Sequence, residues 1–165
     1  MLVIKDSMVI IHLAKTALLE SSCTYFGKVL IPKLVQEEVV RDGHPETLLI
    51  REMIRGKKII VAAVKDKSLI RRANQFNLQR GEAEVVALYW ERHADLIATD
   101  DDNVRKKRDS LQLKIIGTPA IIFELYRKKY LDHEKLQEAV KVMREISWFS
   151  NVIWDKILMG ANKNE

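Results

Sequence analysis

A chain of 165 residues can bury a sizeable core in one domain, and a make-up of 47% hydrophobic and 31% charged residues excludes a disordered polypeptide. The single Cys23 excludes an intramolecular disulfide and points to a reducing, cytoplasmic setting, while no apolar run reaches membrane-spanning length and the N-terminus lacks a signal peptide's layout. The formal net charge of +5 is gathered in clusters (Lys57-Lys58, Arg71-Arg72, Arg105-Lys106-Lys107-Arg108, Arg127-Lys128-Lys129), which suits a polyanionic partner rather than a membrane.

Leu2-Val3-Ile4 reads as the first strand, ending at Asp6-Ser7. Helical spacing follows over 8–20, with Ile10, Ile11, Leu13, Ala14, Ala17 and Leu18 apolar and Asp6 or Ser7 as the cap. Gly27 closes that region, Lys28–Ile31 is a second strand, and Pro32 opens a helix over 33–41 as its first residue. At 100° per residue Glu38 falls between Leu34 and Val35 on the inward face, whereas Glu37 lies outside within reach of Arg41. A carboxylate on an apolar stripe is costly unless it is paired, reaches water at the edge of the core, or meets a metal.

Asp42-Gly43-His44-Pro45 is a turn, followed by a helix over 46–55 that Gly56 ends. Residues 59–64 form a strand candidate and 65–76 a helix carrying Arg71 and Arg72. Gly81 precedes a helix over 82–93 that places Glu82 beside Val85, Val86 and Tyr89 and turns Glu84 to the opposite side with Glu91. Glu82 also sits in the first turn, where the helix dipole alone favours an acid. A short buried strand over 95–98 ends in Thr99-Asp100-Asp101-Asp102. Three adjacent carboxylates repel one another, so such a run belongs in open solvent or around a cation.

A basic helix over 102–111 follows, with Asp102 as its N-cap, then a strand over 114–116. Thr118 caps the next helix (120–129), with Pro119 at its first position, and His133–Ile146 forms another. The tail over 148–160 carries Trp148, Phe149, Ile153, Trp154, Ile157 and Leu158, a surface to dock on the domain or on a second subunit, and 161–165 read as frayed.

This alternation predicts one α/β domain over 1–165: a three-layer α/β/α arrangement around a mostly parallel central sheet, with a helical C-terminal tail. Ligands of such sheets collect at the carboxyl ends of the strands. Asp6 ends one strand and Asp100-Asp101 another, while Glu38 and Glu82 come from helix faces turned toward the core. Carboxylates without nitrogen or sulfur partners select Mg²⁺ or Mn²⁺ over zinc, and His12, His44, His93 and His133 are scattered without ligand spacing.

The segment from Asp6-Ser7-Met8 to Leu13-Ala14-Lys15 resembles the opening motif of PIN-domain nucleases. Ile31-Pro32-Lys33-Leu34-Val35-Gln36-Glu37-Glu38-Val39 is similar to their Pro-x-x-Val-x-x-Glu helix. Gly81-Glu82-Ala83-Glu84 with Ala87-Leu88 resembles the third motif, in the form shared with flap endonucleases. Thr99-Asp100-Asp101, with Arg105 and Ile116-Gly117-Thr118, resembles the fourth in the order of a VapC-like prokaryotic branch. The resemblance spans essentially the whole chain. It implies a PIN-like fold and an Mg²⁺- or Mn²⁺-dependent endoribonuclease acting on RNA, often the toxin of a toxin–antitoxin pair and commonly a homodimer, with an antitoxin protein as partner. By position, Asp6, Glu38, Glu82, Asp100 and Asp101 would be the catalytic, metal-binding acids, the triplet leaving open which of its members point inward. Ser7 and Thr99 would hold a metal-bound water or a carboxylate, and Arg105 would meet the substrate phosphate. Glu84 matches a further acid of flap endonucleases, but its projection turns it outward. Two other readings stay open: a degenerate PIN domain that binds RNA or protein without cutting, and an Mg²⁺-dependent phosphatase of another α/β type.

Overall fold

The β-branched runs of the chain lie side by side in a computed structural model that describes residues 1–163. The strands are β1 (Leu2–Lys5), β2 (Lys28–Ile31), β3 (Ile60–Val61), β4 (Leu96–Ala98) and β5 (Ile115–Ile116). They form a five-stranded sheet in the order β3-β2-β1-β4-β5, and every pairing is parallel. The α/β expectation holds, with a sheet that is wholly parallel. β1 is central, with Val3 paired to Val29 on one side and Leu96 on the other. The chain winds outward from β1 through β2 to β3, then returns to lay β4 on the opposite side. The crevice outside β1 and β4 is therefore the switch point where parallel sheets open a ligand site.

The helices are α1 (Ser7–Lys15), α2 (Leu19–Phe26), α3 (Lys33–Val39), α4 (Thr47–Arg55), α5 (Lys67–Asn74), α6 (Arg80–Arg92), α7 (Asp102–Lys106), α8 (Thr118–Arg127), α9 (His133–Ile146) and α10 (Asn151–Asn162). They flank the sheet and bury Val3, Ile4, Ile31 and Ile97 completely. Among the described residues no helix is long and apolar enough to cross a membrane.

The helix expected over 8–20 is two helices, because Ala17 takes a left-handed conformation (φ 57°) between α1 and α2. Both bury apolar residues, so periodicity runs through the break without registering it. The strand expected over 59–64 pairs only through Ile60–Val61, as an edge strand has a partner on one side alone. Pro32 stands at the N-cap position of α3 with extended backbone, rather than inside its first turn. The basic helix expected to reach residue 111 ends at Lys106, and its N-cap is Asp101; Asp102 pairs with Lys106 on the surface instead.

The C-terminal tail docks on the chain itself. α10 packs on α8 and α9 and buries Trp154, while Trp148 stays exposed and stacks on Phe149 with centroids 4.4 Å apart. Helix continues to Asn162 with Ala161 buried, while residues 164–165 of the tail expected to fray lie outside the described part.

The last residue of β1 is a fully buried lysine. Lys5 Nζ donates to Ser22 Oγ (2.5 Å) and lies 5.2 Å from the Phe26 ring centroid, with no ion pair among the described residues. Burial pushes its ammonium down to about 8 from 10.5. Between these values the unfolded chain holds a proton that the folded chain has lost, so this site's contribution to stability rises with pH across that window. Lys5→Met is expected to remove the rise. The parent-to-variant stability gap, read from urea melts at pH 7 and pH 10, should shift in the parent's favour at pH 10 by on the order of 2 kcal/mol.

Candidate active site

Because Lys5 of β1 pairs with Ala98 of β4, the residues that follow leave the sheet together. Asp6 is the N-cap of α1: its Oδ1 accepts the Ser7 N–H (2.7 Å) and its Oδ2 accepts the Thr99 hydroxyl (2.9 Å). The same hydroxyl accepts the Asp101 N–H (3.0 Å), so fully buried Thr99 ties the end of β1 to the acidic turn. Asp101 Oδ1 in turn accepts the Val104 N–H (3.0 Å) and starts α7.

Glu38 reaches the same crevice from α3 and Glu82 from α6, two helices that pack on each other. Close approach is permitted by Gly81, where an added Cβ would lie 3.2 Å from Glu38 Oε1. Glu82 completes a capping box with Gln79, whose N–H it accepts at 3.3 Å, and also accepts Asn103 Nδ2 at 3.1 Å. The result is a cavity of about 330 Å³ lined by Asp6, Glu38, Glu82 and Asp101, with Ser7, Met8 and the 79–81 turn completing its wall.

Asp100 is not brought into this group. It is fully buried, its Oδ1 accepting the Thr118 N–H (2.7 Å) and its Oδ2 accepting the Thr118 hydroxyl (2.5 Å) and bonding His12 Nδ1 (2.7 Å). Thr118 therefore heads α8 and holds Asp100, rather than capping the helix with its own hydroxyl. Arg105 does not line the cavity either: its Nη1 reaches the Thr99 carbonyl at 3.4 Å and lies where a Cβ on Gly117 would stand 2.7 Å away.

Glu84 departs from its outward projection. α3 covers that side of α6, and the carboxylate accepts the Leu34 N–H (3.1 Å) in the first turn of α3. His12, Asn103 and Arg80 are the residues at or behind the site that spacing did not single out. His12 falls among the apolar residues of α1, which was the available signal; for Asn103 and Arg80 there was none.

Burial pushes the Asp6 carboxyl up to about 6, and the nearby Asp101 and Glu38 carboxylates add to the rise, against the hydrogen bonds from Ser7 and Thr99. A carboxyl raised by burial and by neighbouring acids in a crevice marks a candidate functional site. Among the described residues no three His, Cys, Asp or Glu side chains already stand in ligand geometry around one point. The donor chemistry, carboxylates beside the Ser7 hydroxyl, nevertheless fits a hard divalent cation that keeps several of its waters.

The strand order and the crevice define the class: an α/β protein with an acid-lined cavity at the switch point of a parallel sheet. The model of a PIN domain family, DUF3368, matches residues 2–163, and the chain belongs to that family. No curated protein and no solved structure matches it.

Proposed function

We propose that this PIN domain is a metal-dependent endoribonuclease of the VapC-like kind, hydrolysing RNA to leave a 5′-phosphate and a 3′-hydroxyl. The observation that carries this reading is the convergence of Asp6, Glu38, Glu82 and Asp101, from four separate elements, on one cavity. Family membership supports it, since PIN domains are typically nucleases. In the same reading the protein works in the cytoplasm as the toxin of a toxin–antitoxin pair, with RNA as substrate, an antitoxin protein as inhibitor and a second copy of the chain as its dimer partner.

Asp6, Glu38, Glu82 and Asp101 would hold Mg²⁺ or Mn²⁺. Such a cation supplies Lewis acidity for water attack and charge neutralisation at the phosphoryl group. Hydrolysis adds the oxygen of water to phosphorus and breaks the P–O3′ bond. Thr99 keeps Asp6 in register with the Asp101 turn, Ser7 presents both its N–H and its hydroxyl to Asp6 Oδ1, and Asp100 braces the turn from behind.

The purified chain is expected to cut single-stranded RNA with Mn²⁺ or Mg²⁺ and to stop when EDTA is added. Glu38→Gln should slow cleavage roughly 100-fold or more with an unchanged circular dichroism spectrum. Equal rates for Glu38→Gln and parent, contamination excluded, would overturn the assignment. Salt-sensitive RNA binding without metal-stimulated turnover would make the protein a binding module instead.

A further inference from the structure

The acids that make the cavity attractive to a cation make it hostile to the substrate. A divalent cation sets two positive charges against the carboxylates of Asp6, Glu38, Glu82 and Asp101, so an entering phosphodiester still meets negative charge. Among the described residues that line the cavity, Arg80 carries the only cation; Ser7, Met8, Gln79 and Gly81 are neutral. The Arg80 side chain is exposed and has no ion pair among the described residues.

Its backbone is held in an uncommon state. Arg80 has φ 46°, the left-handed region that residues with a Cβ seldom occupy. A glycine would accept this conformation freely, but the neighbouring glycine, Gly81, serves instead for the close approach of Glu38 Oε1. Gln79 on the other side is tied to Glu82 by the capping box. Arg80 is thus pinned between two anchored residues on the cavity wall. On the same flank Asn103 donates to Glu82 and accepts from Lys107 Nζ (2.5 Å), which brings a second cation behind that acid.

We propose that Arg80 is a substrate-binding residue: its guanidinium takes the phosphate of the RNA nucleotide next to the scissile one, with Lys107 extending the cationic track along the Glu82 flank. The proposal rests on the endoribonuclease reading for the identity of the polyanion. A guanidinium suits the role because its planar donors can meet two phosphate oxygens at once.

The test uses the full chain and a fluorescent single-stranded oligoribonucleotide. Binding is read by anisotropy with Ca²⁺, cleavage kinetics with Mn²⁺, and Mn²⁺ affinity by titration. Arg80→Ala should raise both Kd and KM for RNA about 10- to 100-fold and lower the salt slope of binding by about one. Its kcat and Mn²⁺ affinity should stay within a few-fold of the parent's. Arg80→Lys should recover part of the loss. Arg80→Gly, which frees the backbone, should bind RNA as poorly as Arg80→Ala while melting at a higher temperature.

RNA binding by Arg80→Ala as tight as the parent's overturns the proposal, and so does loss confined to Arg80→Gly. Tighter Mn²⁺ binding by Arg80→Ala with unchanged RNA binding also overturns it, since Arg80 would then be a resident counter-charge. Arg80-dependent RNA binding by a chain that does not cleave leaves this inference standing and removes the nuclease reading. Cleavage unaffected by Arg80→Ala does the reverse. A parent that neither binds nor cleaves removes both.

Discussion

Asp6→Asn is expected to slow RNA cleavage about 1,000-fold or more and, in the same protein, to raise the stability of the metal-free chain. Asparagine caps a helix as well as aspartate, so the bond from the Ser7 N–H to Asp6 Oδ1 has a like-for-like replacement. What disappears is a buried charge, together with the Oδ2 acceptor of the Thr99 hydroxyl, where the asparagine Nδ2 would donate to Thr99 Oγ1 instead. The Asp6 carboxyl is raised to about 6 from 3.8, so between these values the folded chain holds a proton that the unfolded chain has released. The parent therefore loses stability as pH rises through that window and stays at the lower level above it. At pH 7 the variant should be more stable by on the order of 2 kcal/mol, a rise of roughly 4–8 °C in melting temperature, and near pH 3.5 the two should coincide. Melts in EDTA at both pH values read this directly. Added Mn²⁺ should stabilise the parent more than the variant, and parent cleavage at limiting Mn²⁺ should fall as pH is lowered, because protons compete with the cation for Asp6. An Asp6→Asn protein that melts below the parent at pH 7 in EDTA would mean that Asp6 is a structural acid.

Asp100→Ala is expected to act in the opposite sense, costing about 3–5 kcal/mol of stability. The substitution strips the acceptor from the Thr118 N–H, the Thr118 hydroxyl and His12 Nδ1 at a fully buried position, where water cannot replace it. The midpoint of thermal unfolding should drop by roughly 6–20 °C. Asp101→Ala is expected to lose only the α7 cap, worth about 1 kcal/mol, and to abolish cleavage by removing a cavity acid. Neighbouring aspartates thus separate into one that holds the fold and one that serves the site, a split that urea melts and cleavage rates on the two variants measure together. Should Asp100→Ala melt like the parent and fail to cleave, the roles are exchanged.

Local chemistry carried much of this reading. The β-branched runs became strands in the expected places, and the alternation with helices led to a parallel sheet. Helical projection sets Glu38 apart from Glu37 and Glu82 apart from Glu84, and both Glu38 and Glu82 line the cavity. The strands and the helical projections depend on residues within two turns of one another, where spacing and burial are the same information.

Other features depend on partners that spacing cannot see. Glu84 looks outward on an isolated helix, yet α3, 50 residues away along the chain, lays its first turn against it. Lys5 follows the Leu2-Val3-Ile4 run as a charged residue, yet Ser22 and Phe26 close over it. The break at Ala17 and the left-handed Arg80 are backbone states that their side chains do not announce.

By itself the amino-acid order determined most of the elements, the strand–helix alternation that leads to a parallel sheet, and the acids Asp6, Glu38 and Glu82, because these follow from local periodicity, capping and connection rules. Only the tertiary structure decided that Asp101 faces the cavity while Asp100 turns to Thr118 and His12. At the end of a strand the alternation of side chains lapses, and each carboxylate goes to whichever donors the packed neighbours present.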